Sequence, residues 1–407
     1  MERKMPNAAI PDHVPPALVY DFDIWKMPAH FSNPHDYWLT LRDAKVPRIF
    51  YTPHHGGHWM LHHFEDTLEG YRDTDFFTNF PNGIPARPGG AAKLIPVEID
   101  PPEHVKYRNV LGPAFSPVAV KAIQDGIRSR VAGLIDAVAG ARRCDFAGQI
   151  AGRLPTSVFL NLMGMPMADF DAIMEMEHLF LRGPDQAAQK DGADRILAYV
   201  AGFIDAQAAA PGENVTGVLL RACDEHGQPW SREEIINTAF LLYVAGLDTV
   251  TNMMSFIWYY LAKEPAKRRH VAANLGDLPK FVDELMRLSV PAVNARRVRR
   301  DGIWRGVVMK AGDAVLNAPM NANRDPAHFP DPDVMQWDRP NARQQIGFGA
   351  GPHRCVGQHL ARQEIIITLE EWFKRIPEFA LDPDVPLNAY LGNIMGFANL
   401  PLVWRAA

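Results

Sequence analysis

Residues 348–357 read FGAGPHRCVG. The stretch holds Cys355, one of only three cysteines in 407 residues, with Gly349, Gly351 and Gly357 set around it. The chain continues as VGQHLARQEIIITLEEWFKRI, whose apolar residues recur at helical spacing. Cys355 therefore stands at or just before a helix N-terminus. Free N–H groups and the positive end of the helix dipole favour a thiolate there. Gly351 and Gly357 permit tight turns and close approach of a flat ligand to the backbone. A held thiolate, hydrogen-bonded by amides and with one face clear of side chains, meets the needs of a haem-iron ligand. A buried structural cysteine is the commoner use of a lone one.

The rest of the chain narrows the setting. A chain of this length that is 47% hydrophobic can bury a large core. Its net charge of −5 carries no electrostatic footprint for nucleic acid or lipid. The odd number and wide spacing of Cys144, Cys223 and Cys355 argue against a disulfide framework and for a reducing, cytoplasmic compartment. The opening MERKMPNAAIPDHVPPALVYDFD has no apolar run of signal-peptide length and reads as a surface arm over residues 1–30. AFLLYVAGLDTVTNMMSFIWYYLA (239–262) has the length of a membrane span, but Asp248, Thr249, Thr251 and Asn252 fall in its middle, where polar groups are costly in lipid. It reads as a long helix through a soluble core.

The patterning predicts a mainly α chain with a small β-rich region, forming one domain over 1–407. Helices are predicted over 32–44, 129–141 and 194–210, from Ser231 with a Ser231/Glu234 capping box, and over 264–275 and 278–290. RIFYT and HWMLHH (48–63) read as a hairpin, and RRVRRDGIWRGVVMKAGDAVLNAP as strands about an Asp301-Gly302 turn. NLPLVW reads as a last strand. No repeat or linker is visible.

Phe348, Gly351, Cys355 and Gly357 match the FxxGxxxCxG haem-binding signature, and the chain resembles the cytochromes P450 over nearly its whole length. ELMR, Glu284 to Arg287, resembles the family ExxR. AGLDT (245–249) resembles the oxygen-binding motif of the long central helix that lies over the haem. NRDPAHFPDPDVMQWDR (323–339) resembles the meander, and DPPEHVKYR (100–108) the HxxxR segment at the haem propionates. The tail looks most like the bacterial camphor monooxygenase subfamily. The resemblance implies a haem b monooxygenase that hydroxylates a small hydrophobic substrate with O2. It implies electrons from an acidic [2Fe-2S] ferredoxin and its NADH-dependent reductase, and a monomer with no nucleic-acid or membrane partner.

Residue by residue, it implies that Cys355 is the axial ligand and that His104, Arg108, Arg296 and His353 meet the propionates. Ala245 and Gly246 would leave room for O2. Asn294 stands where the camphor-type relative has an aspartate, and a one-residue shift in ARRVRR would exchange Arg296 for its neighbour. Glu284 and Arg287, at i and i+3 on one helix face, would join Arg339 in a buried network anchoring the cysteine loop. Thr249 would hold the proton-donating water and Asp248 would relay protons. In the purely structural alternative, Thr249 satisfies the Ala245 carbonyl and Asp248 pairs with an arginine. Gly83 and Ala92 fall where the camphor enzyme has an aromatic residue and a hydrogen-bonding tyrosine. Leu94, Val97, Leu241, Val244, Val293 and Ile394 complete an apolar pocket, or are ordinary core residues. Lys106, Arg108 and Arg354 would form a basic docking patch for the ferredoxin.

Two rival readings stay open: a peroxide-using haem-thiolate enzyme, against which the acid–alcohol pair argues, and a haem protein that senses or stores a ligand. His54, His55, His58, His62 and His63, near Glu65 and Asp66, raise the question of a metal. Strand alternation keeps the five from converging, so they read as a solvated turn.

Overall fold

The computed structural model describes residues 8–87, 91–183 and 185–405. Among these, the helices are α1 (Pro34–Trp38), α2 (Phe64–Arg72), α3 (His104–Ala114), α4 (Pro117–Ala139), α5 (Arg153–Met163), α6 (Phe170–Arg182), α7 (Gln186–Gln207), α8 (Val215–Leu220), α9 (Arg232–Lys263), α10 (Pro265–Ala273), α11 (Leu278–Leu288), α12 (Pro319–Ala322) and α13 (Gln358–Arg375). The strands are β1 (Ile49–Thr52), β2 (His58–Leu61), β3 (Phe77–Thr78), β4 (Arg143–Asp145), β5 (Asn294–Val298), β6 (Gly302–Trp304), β7 (Val307–Met309), β8 (Ala314–Asn317), β9 (Ala380–Leu381), β10 (Ala389–Tyr390), β11 (Gly396–Phe397) and β12 (Pro401–Val403). The main sheet runs β1-β2-β8-β5-β3, and a second runs β4-β12-β9.

The long helix α9 organises the helical body. Its start is fixed by the capping box: Ser231 Oγ accepts from Glu234 N at 3.2 Å, and Glu234 Oε2 accepts from Ser231 N at 2.8 Å. By length and composition it could cross a membrane, yet 67% of that stretch is buried inside the protein. It packs against α5, α7 and β11, and its side chains enter both large core clusters, with Phe256 and Trp258 in one and Phe240 and Leu247 in the other.

Three predictions of local structure change. Residues 32–44 form one α turn followed by a 3-10 turn, because Asn33 caps it at His35 N (3.1 Å) with Pro34 in the first turn. The 305–306 pair, not Asp301-Gly302, makes the tight hairpin turn. Arg305 and Gly306 both take positive φ (48° and 82°) between paired β6 and β7, while β5 pairs with β8 instead. Of the predicted surface arm, residues 1–7 lie outside the described residues, and residues 8–30 do not lie wholly on the surface. Val14, Phe22 and Ile24 are buried, Val19 bridges to Tyr51, and Phe22 stacks on Tyr37 at 4.5 Å. Its scattered apolar residues lack any period, so their burial left no pattern in the sequence.

Candidate functional site

The cysteine loop is shaped by backbone demands. Cys355 N donates to Phe348 O at 2.9 Å, closing the loop just before α13. Gly349 and Gly351 take φ of 72° and 66°. A Cβ on Gly351 would sit 2.9 Å from the Tyr71 carbonyl oxygen, so this position excludes other residues on two counts. Gly357 differs from its predicted role: its φ is −80°, and its nearest neighbour to a Cβ is the Cys355 Sγ at 3.8 Å. It thus keeps the side of the sulfur clear rather than making a turn. Cys355 is exposed on its residue surface, yet the protein around it desolvates the sulfur. That desolvation pushes the thiol pKa up, against the Gly357 and Gln358 amides and the Arg108 and Arg354 charges, which pull it down. A coordinated metal ion removes that opposition by deprotonating the thiol outright.

Basic side chains gather beside the loop. The His104 and His353 rings lie 4.3 Å apart. Arg108 Nη2 donates to the Arg354 carbonyl at 2.8 Å, and Arg296, 4% exposed, sits 5.3 Å from the Tyr71 ring. Tyr71 Oη donates to Asn294 Oδ1 at 2.8 Å. Both His353 ring nitrogens are buried without a partner. Burial, then His104 and Arg296, pushes the His353 pKa down to about 2, and burial, then Arg108, pushes His104 down to about 4. Burial likewise lowers Arg296 to about 10. No carboxylate among the described residues pairs with Arg108 or Arg296. Orphaned nitrogens and carboxylate-free guanidinium groups fit a ligand that brings its own carboxylates, as haem does.

The central helix opens where a ligand needs space. Leu241–Tyr243 and Leu247–Asp248 are buried, while Ala245 between them is exposed and Val244, Gly246 and Thr249 are half-buried. Only the Phe159 ring, at 3.5 Å, lies near a Cβ built on Gly246, so the protein's own side chains make no steric demand for glycine there. Thr249 Oγ1 donates to the Ala245 carbonyl at 2.9 Å. Asp248, 4% exposed, is ion-paired with Arg182, which also donates to Tyr390 Oη. Tyr390 Oη donates to Asn252 Oδ1 (2.8 Å), and Asn252 Nδ2 donates to the Asp248 carbonyl (2.8 Å). Both contacts of the structural alternative are therefore present.

Glu284 and Arg287 are fully buried on α11. Arg287 Nε and Nη2 grip Glu284 at 2.7 and 2.8 Å, and Arg339 Nε reaches Glu284 Oε1 at 2.9 Å. Arg287 Nη1 donates to Asn323 O (2.6 Å), and Asn323 Oδ1 accepts from Ile346 N (2.8 Å) at the entrance to the cysteine loop. Arg339 also binds the Pro330, Asp331 and Val334 carbonyls.

Of the pocket candidates, Leu241 and Val293 are buried, Leu94, Val97, Val244 and Ile394 half-buried, and Ile394 bridges Ala292. Gly83 has φ 91° and lies beside Asn393. The Ala92 carbonyl accepts from Arg87 Nη1 at 2.8 Å. The residue that organises this loop was not among the candidates. Glu98, 2% exposed, accepts from Asn82 N and Leu94 N, both at 2.9 Å, and pairs with Arg87. Its only trace in the sequence is an acid set among Ile95, Pro96, Val97 and Ile99.

Two further expectations are corrected. Lys106 is half-buried and paired with Glu234 at 2.5 Å, and Arg108 is half-buried and donates to the Arg354 carbonyl, so of the three basic residues Arg354 alone is exposed. The histidine turn is not solvated: His55, His58 and His62 are buried. No cluster of metal-ligating residues occurs among the described residues.

The cytochrome P450 family model matches residues 208–386. The curated "Probable cytochrome P450 127A1" of Sinorhizobium fredii is 32% identical over 99% of this chain and 98% of its own. The crystal structure of CYP101J2 superposes with a TM-score of 0.90 at 31% identity, covering 98% of this chain and 100% of that one. That of CYP101C1 gives 0.89 at 30% identity, with the same coverage.

Proposed function

This chain belongs to the cytochrome P450 family and is a haem b monooxygenase, and we propose that it hydroxylates a cyclic terpenoid or norisoprenoid with electrons from a [2Fe-2S] ferredoxin. The observation that carries the substrate reading is the opening in α9. An apolar stretch bares Ala245 and half-bares Val244, and Gly83 and Ala92 stand where the resemblance puts larger groups. The residues that resemblance puts around this opening, Leu94, Val97, Leu241, Val244, Val293 and Ile394, are all apolar, which suits a hydrophobic ligand.

In this reading Cys355 would supply the sulfur ligand of the haem iron, while His104, Arg108, Arg296 and His353 would hold the propionates. Phe348, Gly351 and Gly357 shape the loop around the sulfur. Bound haem supplies O2 activation, and electron donation by the thiolate favours O–O cleavage. The protein's own part is positioning and proton control. Thr249 hydrogen-bonds back to Ala245, which loosens the helix ladder and leaves its hydroxyl able to hold a water. Asp248 carries protons to that water only when Arg182 releases it. The Glu284–Arg287–Arg339 network keeps the cysteine loop fixed beneath. Arg354, exposed beside Cys355, is the remaining docking cation for an acidic ferredoxin.

The test is a Soret titration of the purified haem protein with a terpenoid panel, followed by product analysis with ferredoxin, reductase and NADH, and separately with hydrogen peroxide. A low-to-high-spin shift and an NADH-dependent hydroxylated product support the reading. Turnover with peroxide alone, or ligand binding with no product, replaces it with one of the two rivals.

A further inference from the structure

Two features of the sequence take no part in the haem site: the histidine-rich hairpin and Arg297, the second arginine of ARRVRR. The structure brings them together. Arg296 and Arg297 point to opposite faces of β5, so Arg296 meets Tyr71 while Arg297 turns away. Arg297 pairs in register with Ala314 on β8, and β2 lies on the other side of β8. Alternation sets His58, Ala314 and Arg297 in one row on one face of the sheet.

Beside that row lies a cavity of about 390 Å³, lined by Tyr51, His55, Ile84, Pro85, Ala86 and Arg297 among others. Its polar groups are unevenly satisfied. Asp313, in the wall, already accepts at one oxygen from His13 Nε2 (2.8 Å), Trp59 Nε1 (2.9 Å) and Lys310 N (3.0 Å). Asp23, behind His55, accepts from His55 Nε2 (2.6 Å) and Trp25 N (2.8 Å). Arg297, by contrast, has two carbonyl acceptors among the described residues, those of Arg296 (3.0 Å) and Gly83 (3.1 Å), and no carboxylate among them. Desolvation alone lowers its pKa, with no acid opposing it. His55 is 8% exposed, held at φ 54°, and its Nδ1 has no partner. His58 is wholly buried, with the His54 backbone as its polar neighbour, and it does not line the cavity. A half-buried guanidinium with no carboxylate partner among the described residues, set beside an apolar wall, has the chemistry of a carboxylate-binding pocket.

We propose that this cavity binds a small organic carboxylate, its charged end on Arg297 and its apolar body against Ile84, Pro85 and Ala86. The site does not depend on the monooxygenase reading.

Calorimetric titration of the haem-loaded protein with benzoate, and with the neutral isostere benzamide, tests it. Benzoate binds at least tenfold more tightly than benzamide and leaves the Soret band unmoved. Arg297→Gln removes that preference. Ala86→Trp fills the exposed mouth, leaves both carbonyl contacts of Arg297 intact, and lowers benzoate affinity at least tenfold. Equal binding of the two probes, a Soret shift on benzoate binding, or an Ala86→Trp variant with undiminished affinity overturns the proposal, and the Ala86 variant decides the matter should Arg297→Gln not fold.

Discussion

Arg182, the last residue of α6, is ion-paired with Asp248 in the middle of α9, and the same guanidinium donates to Tyr390. The acid next to Thr249 is therefore held, not free. Thr249→Ala is expected to bind substrate and consume NADH while diverting most reducing equivalents to hydrogen peroxide. Asp248→Asn is expected to slow the whole cycle and raise the solvent isotope effect. NADH oxidised, product formed and peroxide released, all read in one reaction, check both. Unchanged product per NADH in Thr249→Ala would remove the assigned role.

Reduced protein with CO is expected to show the red-shifted Soret band of thiolate ligation. Cys355→His is expected to lose that band even where haem is retained. Cys144 is buried and Cys223 exposed near the α9 start, so neither replaces it. Persistence of the band in the variant would move the ligand elsewhere.

Removing one partner from the Glu284 network leaves two buried guanidinium groups without their shared anion. Glu284→Gln is expected to cost roughly 3–5 kcal/mol and to weaken haem retention, because breaking a buried pair strands charge. Urea unfolding of the variant and its parent, with haem loss followed at 37 °C, measures this. A change below about 1 kcal/mol, the scale of a surface pair, contradicts the account.

Camphor is expected to bind poorly beside bulkier cyclic terpenoids or ionones. Losing one substrate hydrogen bond costs on the order of 1 kcal/mol, or about fivefold in affinity, and the looser fit adds to it. Spin-state titrations with camphor and β-ionone side by side decide; tight camphor binding with a full spin shift would sink the idea.

Acid should destabilise the fold before carboxylates alone would. Burial holds His35 and His58 near pKa 3 and His62 near 4, against an ordinary 6.5. Between those values and 6.5 the unfolded chain binds the protons and the folded one does not. Stability is thus fully present above pH 6.5 and falls as pH drops toward 3, by up to about 1.4 kcal/mol per pH unit for each group. Urea midpoints at pH 7, 6 and 5 should fall in that order, and His62→Gln should flatten the slope.

The parts of the site that sequence made legible are those written in short segments. The cysteine loop, the Glu284/Arg287 spacing and the Ser231 capping box each lie within ten residues, so spacing alone constrains their geometry. What stayed hidden joins distant segments. Arg182 and Asp248 are 66 residues apart, Tyr390 lies another 142 beyond Asp248, and the Glu98 grip on Arg87 crosses a loop with no helical or strand period. Side-chain direction decided two further cases. Neither the split of Arg296 from Arg297 nor the burial of His58 is visible until strand pairing fixes the faces.

The pairing of β12 with β4 and β9 has a consequence for biosynthesis. Leu400 N donates to Asp145 Oδ1 at 2.7 Å, Phe146 N donates to the Leu400 carbonyl at 2.8 Å, and Trp404 lies 5.8 Å from Trp372, itself packed on Phe146. Phe22 shares that same cluster with Trp404. The core thus joins Phe22 to Trp404, segments far apart in sequence, and no nascent chain lacking β12 can complete it. Folding waits for β12 to emerge from the ribosome, with large aromatic surface uncovered until then. Contacts this distant in sequence close slowly and leave the unfinished chain open to aggregation. Slow, cool expression with chaperones in excess should therefore raise the yield of haem-loaded protein, and deleting residues 399–405 should cost soluble protein before it costs catalysis.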